Sequence, residues 1–361
     1  MRENDDLIRA VREKRAGDAQ DALTAGADPN ATDIDGRPAL LIAVEQDDTA
    51  VADVLLSHGA TPNAQWQPPP RAPDAAVLNM LADQPAIARD AYIRSCQEPD
   101  LVDVYWTCLS ADMARRLVRG GLNPAGFDLY VEDDCLFPAA VGADRIAPRA
   151  VDKATFRAHA NPRRGRANPE PHLPDFWSEQ IRTCKAGFAA ETMVIGEAGT
   201  TPGPVWSFAR FGRSATRLPD GSWLLIAGEH EDHYDPDFAI YADATVISPD
   251  GKVQHFIYPD EVFPPTDFHS ANLIDGTLWL IGSLGYPARR GDSCQVLSMD
   301  IQTFSVTGHT TTGDDPGWIH RHHATHSGDC IRVFGGKSEP GHQDRTEVHI
   351  LDIKTLSWSR A

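Results

Sequence analysis

The stretch that decides the fold is residues 322–336, HHATHSGDCIRVFGG, where a small-residue segment leads through a turn into an alternating apolar run and a glycine pair. Two earlier stretches share this layout: residues 213–228, RSATRLPDGSWLLIAG, and residues 269–283, HSANLIDGTLWLIGS. Their central alanines lie 56 and 53 residues apart, at Ala215, Ala271 and Ala324. Self-similarity at this period is typical of propeller blades or another repeat array.

Each copy continues with a polar loop and a further strand, at residues 244–251, 296–300 and 348–352. A last short strand in each copy carries an aromatic residue, namely Phe256, Phe304 or Trp358. Four strands per unit, with glycines where backbones crowd, are what a propeller blade requires. Residues 205–361 therefore resemble the kelch family of β-propeller repeats, which implies three consecutive blades.

The first part of the chain has a second period. Residues 26–30, GADPN, and residues 59–63, GATPN, lie 33 residues apart, and each follows a short amphipathic helix. Glycine after a helix fits a C-cap, and Pro38 fits the first position of the helix between the two copies. This pattern resembles the ankyrin repeat. A third, degenerate copy is visible at residues 114–124.

The predicted fold is thus an α + β multidomain chain with an N-terminal ankyrin-like helical solenoid and a C-terminal kelch-like β-propeller. Residues 1–150 are assigned to ankyrin-type repeats (degenerate after about residue 66), 151–204 to a linker and connecting helix, and 205–361 to the blades. Propellers have four to eight blades, so three blades form a partial propeller. Three explanations stay open: a degenerate blade within 186–208, closure by the ankyrin side, or a dimer that combines two sets of three.

The charge and composition of the chain limit the classes of binding partner and the cellular compartment that we expect. The net charge is −19 at pH 7, which argues against nucleic acid or an anionic membrane as the main partner and favours a basic protein. No apolar run approaches the length of a membrane span, and the polar start lacks the apolar core of a signal peptide. Six scattered cysteines without a CxxC pair indicate reduced thiols. We expect a cytoplasmic, bacterial protein.

Alternating strand directions bring six loops to one face of the blades, and that face is rich in histidine, acidic and aromatic side chains. One loop of this face, residues 229–237 (EHEDHYDPD), contains two histidines and five acidic residues. The predicted binding residues on this face are Glu229, His230, Glu231, Asp232, His233, Tyr234, Asp235, Asp237, Phe268, His269, Trp318, His320, Arg321 and His322.

These histidines have three interpretations. Histidine and carboxylate are ligands for zinc, manganese or non-haem iron, which makes His230, His233, His269 and His322 candidate metal ligands. The spacing matches no established metal motif, however, and we predict no bound metal and no cofactor. The kelch pattern often has a structural histidine where His269 and His322 fall, so hydrogen bonding is the favoured role, with a binding surface second.

The chain lacks a nucleophile elbow, a P-loop and a dinucleotide fingerprint. We therefore predict a non-enzymatic protein that binds protein partners through its ankyrin and kelch surfaces. A concrete version is an acidic antidote or immunity-type protein that blocks a basic enzyme. The alternative is a metal-dependent or sugar-acting enzyme on the propeller face, since the kelch family includes an oxidase of galactose and a sialic acid mutarotase.

Overall fold

The computed structural model describes residues 2–82, 86–99, 102–103, 110–124, 136–230 and 237–361. The chain divides into two compact units, Met1–Phe127 and Asp128–Ala361.

The described part of the first unit is helical, with one short antiparallel strand pair. Its helices are α1 (Arg2–Arg12), α2 (Ala16–Thr24), α3 (Ala39–Glu45), α4 (Thr49–Ser57), α5 (Ala75–Met80), α6 (Ala86–Gln97) and α7 (Ala111–Arg119). Strand β1 (Gln65–Trp66) pairs with β2 (Val102–Asp103).

Helix α3 is the centre of this unit. Its sequence ALLIAVE is apolar except for Glu45, and residues 39–44 are all buried. A helix that is apolar on every side belongs in a core. Helix α3 packs against α1 and α4, while α2, α4 and α7 form a second row in which α4 contacts both neighbours.

Side-chain caps and glycine turns set the ends of the second-row helices. Asp48 caps α4 by accepting a hydrogen bond from the Val51 amide at 3.1 Å, and Ser110 caps α7 by accepting from the Met113 amide at 3.2 Å. Each second-row helix is followed by a glycine with positive φ, at Gly26, Gly59 and Gly121. The degenerate copy at residues 114–124 therefore ends its helix as the first two copies do.

In its described residues, the second unit combines four α-helices with strands in several sheets. The helices are α8 (Leu136–Val141), α9 (Lys153–His159), α10 (Asp175–Thr183) and α11 (Gly187–Ile195), with 3-10 turns at Ala143–Arg145 and Pro287–Arg289. The strands are β3 (Glu170–Pro171), β4 (Ser214–Arg217), β5 (Trp223–Ile226), β6 (Glu229–His230), β7 (Ala239–Ile240), β8 (Asp243–Ile247), β9 (Val253–Ile257), β10 (Ser270–Ile274), β11 (Thr277–Ile281), β12 (Val296–Asp300), β13 (Val306–His309), β14 (Thr312–Gly313), β15 (Ile319–His320), β16 (His323–Ser327), β17 (Cys330–Phe334), β18 (Lys337–Ser338), β19 (Gln343–Asp344), β20 (His349–Asp352) and β21 (Ser357–Arg360).

Three larger sheets follow one another along the chain. Sheet A has the order β4-β5-β8-β9-β3, sheet B the order β10-β11-β12-β13, and sheet C the order β16-β17-β20-β21-β14. All pairs are antiparallel except β14 with β21. Two small sheets, β6-β7 and β15-β18-β19, extend from the connections. Within the described residues the sheets form no closed propeller.

The apolar runs of the three copies build two cores. On β11, Leu278 and Leu280 join a core with residues of sheet A, whereas Trp279 and Ile281 join a second core with residues of sheet C. Successive side chains of a strand point to opposite faces, so one central strand supplies both cores. The continuous apolar sequence TLWLI reflects burial on both faces.

Helix α10 and Trp206 pack on the remaining face of sheet A. Trp177 of α10 stacks on Trp206 with ring centroids 4.5 Å apart, and both rings meet His255 of β9 edge-on. The segment before α10 connects sheets A and B. Its strand β3 extends sheet A, and its Asn168 side chain exchanges two 2.8 Å hydrogen bonds with the backbone of Val306 in sheet B. The residues assigned to a linker and connecting helix therefore contain three helices and one strand of the second unit.

The free face of sheet C is polar. Arg332, Thr325 and Ser359 are exposed there, and Val333 and Leu351 face the core between sheets B and C. A polar outer face is what caps the end of a repeat array.

Candidate functional site

The first candidate surface lies on the turn that precedes α3 in the first unit. We call residues 31–38 the Asp33 turn. It is a hairpin closed by a bridge between Thr32 and Pro38 and by a 2.9 Å hydrogen bond from the Ala39 amide to the Ala31 carbonyl. At its centre the Asp33 side chain is only 1% exposed.

The Asp33 carboxylate fixes the turn from inside. One oxygen accepts hydrogen bonds from the amides of Asp35 at 3.0 Å and Arg37 at 2.9 Å, and the other accepts from the Arg12 guanidinium at 2.9 Å. Burial alone would raise the pKa of Asp33, but the Arg37 amide and the Arg12 side chain outweigh it and hold the pKa below its ordinary value. Arg37 also reaches Glu45 of α3 at 2.9 Å.

The tip of this turn presents an apolar side chain to solvent. Ile34 is 96% exposed and is one of the large hydrophobic residues exposed among the described residues. Trp66 lies beside it: its indole N–H donates to the Asp35 carbonyl at 2.9 Å, and the Arg37 guanidinium sits 5.8 Å from its ring centroid. The exposed Ile34 side chain therefore stands on a turn that several hydrogen bonds hold.

The second candidate surface is the loop face of the second unit. Backbone hydrogen bonds connect its loops in series: the Phe268 amide donates to the Gly212 carbonyl at 2.7 Å, and the Arg321 amide donates to the Phe268 carbonyl at 2.8 Å. Gly212, Phe268 and Arg321 all have positive φ, and they keep the 56- and 53-residue spacing of the sequence copies. The Trp318 indole donates to the Leu284 carbonyl at 3.0 Å.

Three residues of the histidine- and acid-rich stretch 229–237 are described, namely Glu229, His230 and Asp237. Glu229 forms a backbone bridge with Phe211 and is half-buried, whereas His230 is buried and its Nδ1 lies 2.7 Å from the Tyr241 hydroxyl. Burial, followed by the charge of Arg210, lowers the pKa of His230 to about 3. Asp237 is half-buried in the turn before β7. The predicted residues Glu231, Asp232, His233, Tyr234 and Asp235 lie outside the described residues.

His269 and His322 connect neighbouring sheets. His269 Nε2 lies 2.8 Å from the Ser214 hydroxyl of sheet A, and His322 Nε2 lies 2.9 Å from the Ser270 hydroxyl of sheet B. Both rings are buried, and burial lowers the pKa of His269 to about 4. The same contact recurs between successive sheets, so these two imidazoles are placed as hydrogen-bonding links between sheets.

Phe268 and Arg321 contact each other on this face, where Phe268 is half-buried and Arg321 is exposed. The Arg321 guanidinium lies 3.6 Å from the Phe268 ring centroid, a cation–π contact. Trp318 is buried beneath the loops, and His320 is fully buried on β15. Among the described members of the predicted set, the structure brings Phe268 and His320 into contact with Arg321.

The sequence reasoning did not single out Asp267, which lies beneath this face. Its carboxylate is fully buried and accepts hydrogen bonds from the Gly285 amide at 2.7 Å and the Ser283 hydroxyl at 3.1 Å. Burial raises the pKa of Asp267, against opposing hydrogen bonds that include one with Glu229. The sequence signal for Asp267 is its place directly before Phe268, which is the repeat position equivalent to Gly212 and Arg321.

Two further ligand-type residues were missed. Glu339 and His342 lie in the turn between β18 and β19, next to His320. Glu339 Oε1 is 3.3 Å from His320 Nε2 and 3.0 Å from His342 Nδ1. Among the described residues, these three side chains form the group of histidine and carboxylate ligands that could hold a metal ion. The predicted metal ligands His230, His269 and His322 do not belong to it.

Comparison with known proteins identifies part of the first unit. The sequence profile described as ankyrin repeat matches residues 35–66, so the predicted ankyrin repeat is confirmed there. No kelch-repeat profile matches. No curated protein matches the sequence.

One similar solved structure is entitled "Structure of YjhT" and is 14% identical to this chain. The match covers 42% of this chain and 52% of that one, with a TM-score of 0.32. The chain thus spans about half the length of that structure. None of the helices in the described ranges is both long and apolar enough to cross a bilayer.

Proposed function

We propose that this chain is a non-enzymatic interaction protein that binds a protein partner through the Asp33 turn of its first unit. The ankyrin repeat is a module for protein–protein interaction, and the observation that carries the proposal is the 96% exposed Ile34 on that turn. A turn held by the buried Asp33 carboxylate loses little conformational entropy on binding, which favours affinity.

The charge of this region supports a basic partner. Residues 1–66 contain 6 Lys and Arg against 13 Asp and Glu, a net charge of −7. Complementary charge accelerates association and disfavours acidic competitors. An antidote that covers a basic enzyme is the concrete form of this proposal.

For the second unit we propose three consecutive kelch-type blades that form a partial propeller. The repeated positive-φ positions and the repeated His–Ser links between sheets support this. These links also favour binding over catalysis, because they occupy one ring nitrogen of His269 and of His322 with internal contacts. The Tyr241 hydroxyl likewise occupies one ring nitrogen of His230.

The test uses the partner captured by the full chain and then purified. We expect Ile34→Asp to weaken its binding by at least about tenfold, as loss of an interface anchor does, with an unchanged melting temperature. Met193→Asp is the matched control, since Met193 is 68% exposed on the second unit. Equal affinity of the Ile34→Asp and wild-type chains would overturn the assignment of the Asp33 turn.

The salt dependence tests the charge argument separately. A basic partner predicts that the association rate constant falls as ionic strength rises, because screening shortens the range of attraction. A rate independent of salt would reject the basic partner while leaving the Ile34 result intact.

A further inference from the structure

The turn between β18 and β19 and the adjacent strand β15 together bring three metal-ligand atoms into a compact group. His320 Nε2 on β15, Glu339 Oε1 and His342 Nδ1 all lie within 4.8 Å of one another. The backbone positions them: β15 pairs with β18, and the Glu339 amide donates to the Trp318 carbonyl at 2.9 Å. We propose that this group binds a divalent transition-metal ion of the zinc type.

The distances between the ligand atoms fit such an ion. Tetrahedral zinc with bonds of about 2.0–2.2 Å places neighbouring ligand atoms roughly 3.3–3.5 Å apart. The two distances from Glu339 Oε1, 3.3 Å to His320 and 3.0 Å to His342, are close to this value. A set of two histidines and one carboxylate is also typical of zinc sites that keep an open coordination position.

The second observation is that two of these atoms are buried without a hydrogen-bond partner. His320 Nε2 and Glu339 Oε1 face each other, but no hydrogen bond of acceptable geometry joins them. The His320 side chain is 0% exposed, and that of Glu339 is 8% exposed. Buried polar atoms are nearly always partnered, and a cation bound by both would satisfy them together.

The surroundings hold the ligands in place. The second oxygen of Glu339 lies 3.1 Å from the Arg290 guanidinium and accepts a hydrogen bond from the Gly341 amide at 3.1 Å, which leaves Oε1 directed at the histidines. Outer contacts of this kind orient metal-binding carboxylates.

Two features shape how an ion would bind. His342 is 53% exposed, so the open side of the site faces solvent. Arg321 lies 3.3 Å from His320 Nδ1, and coordination at Nε2 requires the ring proton on Nδ1. The guanidinium must therefore turn away from the ring when the ion binds. Removing it should tighten binding, because a positive charge leaves the site.

The experiment is a titration of the tag-free, chelator-treated full chain with ZnCl2 by calorimetry, and with CoCl2 by visible absorption. We expect one ion per chain and the intense d–d bands of four- or five-coordinate Co²⁺. His342→Ala should weaken binding at least tenfold, because it removes a ligand. His326→Ala is the matched control: it removes an exposed histidine on β16 outside the group.

Two further variants keep the test independent of folding. Glu339→Gln should also weaken binding at least tenfold, whereas Arg321→Gln should strengthen it, and unchanged circular dichroism would show that each variant folds. Zinc affinity equal in His342→Ala, Glu339→Gln and the wild type would overturn the site. So would the absence of any saturable one-to-one binding in the wild type.

Discussion

The guanidinium of Arg210 and the carboxylate of Asp243 form a buried two-point ion pair in the second unit. Their nitrogen–oxygen distances are 2.6 and 2.9 Å, and the side chains are 3% and 5% exposed. The same guanidinium lies 3.3 Å from the Tyr241 ring centroid and donates to the Ala227 carbonyl at 3.0 Å. The Trp206 indole donates to Oδ2 of Asp243 at 3.4 Å, so the pair connects the segment before β4 to the stacked Trp177 and Trp206.

Loss of this arginine should be strongly destabilising. Arg210→Met leaves the Asp243 carboxylate buried without its counter-charge, so we expect the free energy of unfolding to fall by about 3–5 kcal/mol. Arg332→Met removes an exposed arginine from sheet C and should change it by less than about 0.5 kcal/mol. Urea denaturation followed by tryptophan fluorescence measures both, and similar losses in the two variants would contradict the prediction.

The buried histidines predict a sharp loss of stability in acid. Burial lowers the pKa of His255 and of His269 to about 4, and burial with nearby positive charge lowers that of His322 to about 3. The unfolded chain binds protons near pH 6.5, whereas the folded chain binds them only near pH 3–4. The neutral rings therefore contribute stability above pH 6.5 that is lost as pH falls toward these values.

Each such histidine should lower the free energy of unfolding by up to about 1.4 kcal/mol per pH unit below its unfolded pKa. Urea midpoints at pH 7.5, 6.0 and 5.0 would show the slope. His269→Gln, which keeps a polar group without a titrating ring, should make the slope shallower. A stability that is constant between pH 7.5 and 5.0 would show that these rings are not buried as neutral groups.

The three-copy architecture could be predicted from the sequence because it rests on short-range patterns. The apolar runs around Leu225, Leu280 and Val333 became the second strands of sheets A, B and C. The glycine pair at 335–336 is also explained, since a Cβ on Gly336 would lie 2.5 Å from the His320 carbonyl oxygen. Turn residues and the alternation of apolar residues along a strand therefore predict the positions of these strands from the local sequence.

The helical spacing within residues 151–204 predicted a connecting helix, but its packing on sheet A could not be predicted in the same way. Trp177 and Trp206 lie 29 residues apart in segments with no repeat, and their stacking depends on the long-range path of the chain. Asp267, Glu339 and His342 were missed for a related reason. None stands in a motif, and only the convergence of separate loops brings each to its partners.

Removing one hydroxyl group from a His–Ser link between sheets should measurably lower the free energy of unfolding. Ser270→Ala removes the hydroxyl that partners His322 Nε2 and leaves a buried ring nitrogen unpaired, so we expect a loss of about 1–3 kcal/mol. Ser359→Ala, at an exposed position on β21, serves as the matched control and should be nearly neutral. Equal unfolding midpoints for the two variants would rule out a stabilising role for the His322 link.

In the first unit, replacing either of two aspartates in the Asp33 turn should have very different effects on the free energy of unfolding. Asp33→Ala removes the acceptor for the Asp35 and Arg37 amides and for Arg12, and should cost about 1–3 kcal/mol. Asp35→Ala alters an exposed side chain of the same turn and should be close to neutral. Thermal denaturation monitored by helical circular dichroism compares them. A neutral Asp33→Ala would show that the turn does not depend on its buried carboxylate.

The arrangement around sheet A also bears on self-association. A six-bladed ring made from two copies would need the outer face of sheet A to pack on sheet C of the second copy. Trp177 and Trp206 already cover that face within the same chain, and the free face of sheet C carries the polar residues Thr325 and Arg332. We therefore expect light scattering at micromolar concentration to give the mass of one chain. A mass of two chains that becomes one in Arg332→Glu would instead place the free face of sheet C in a dimer interface.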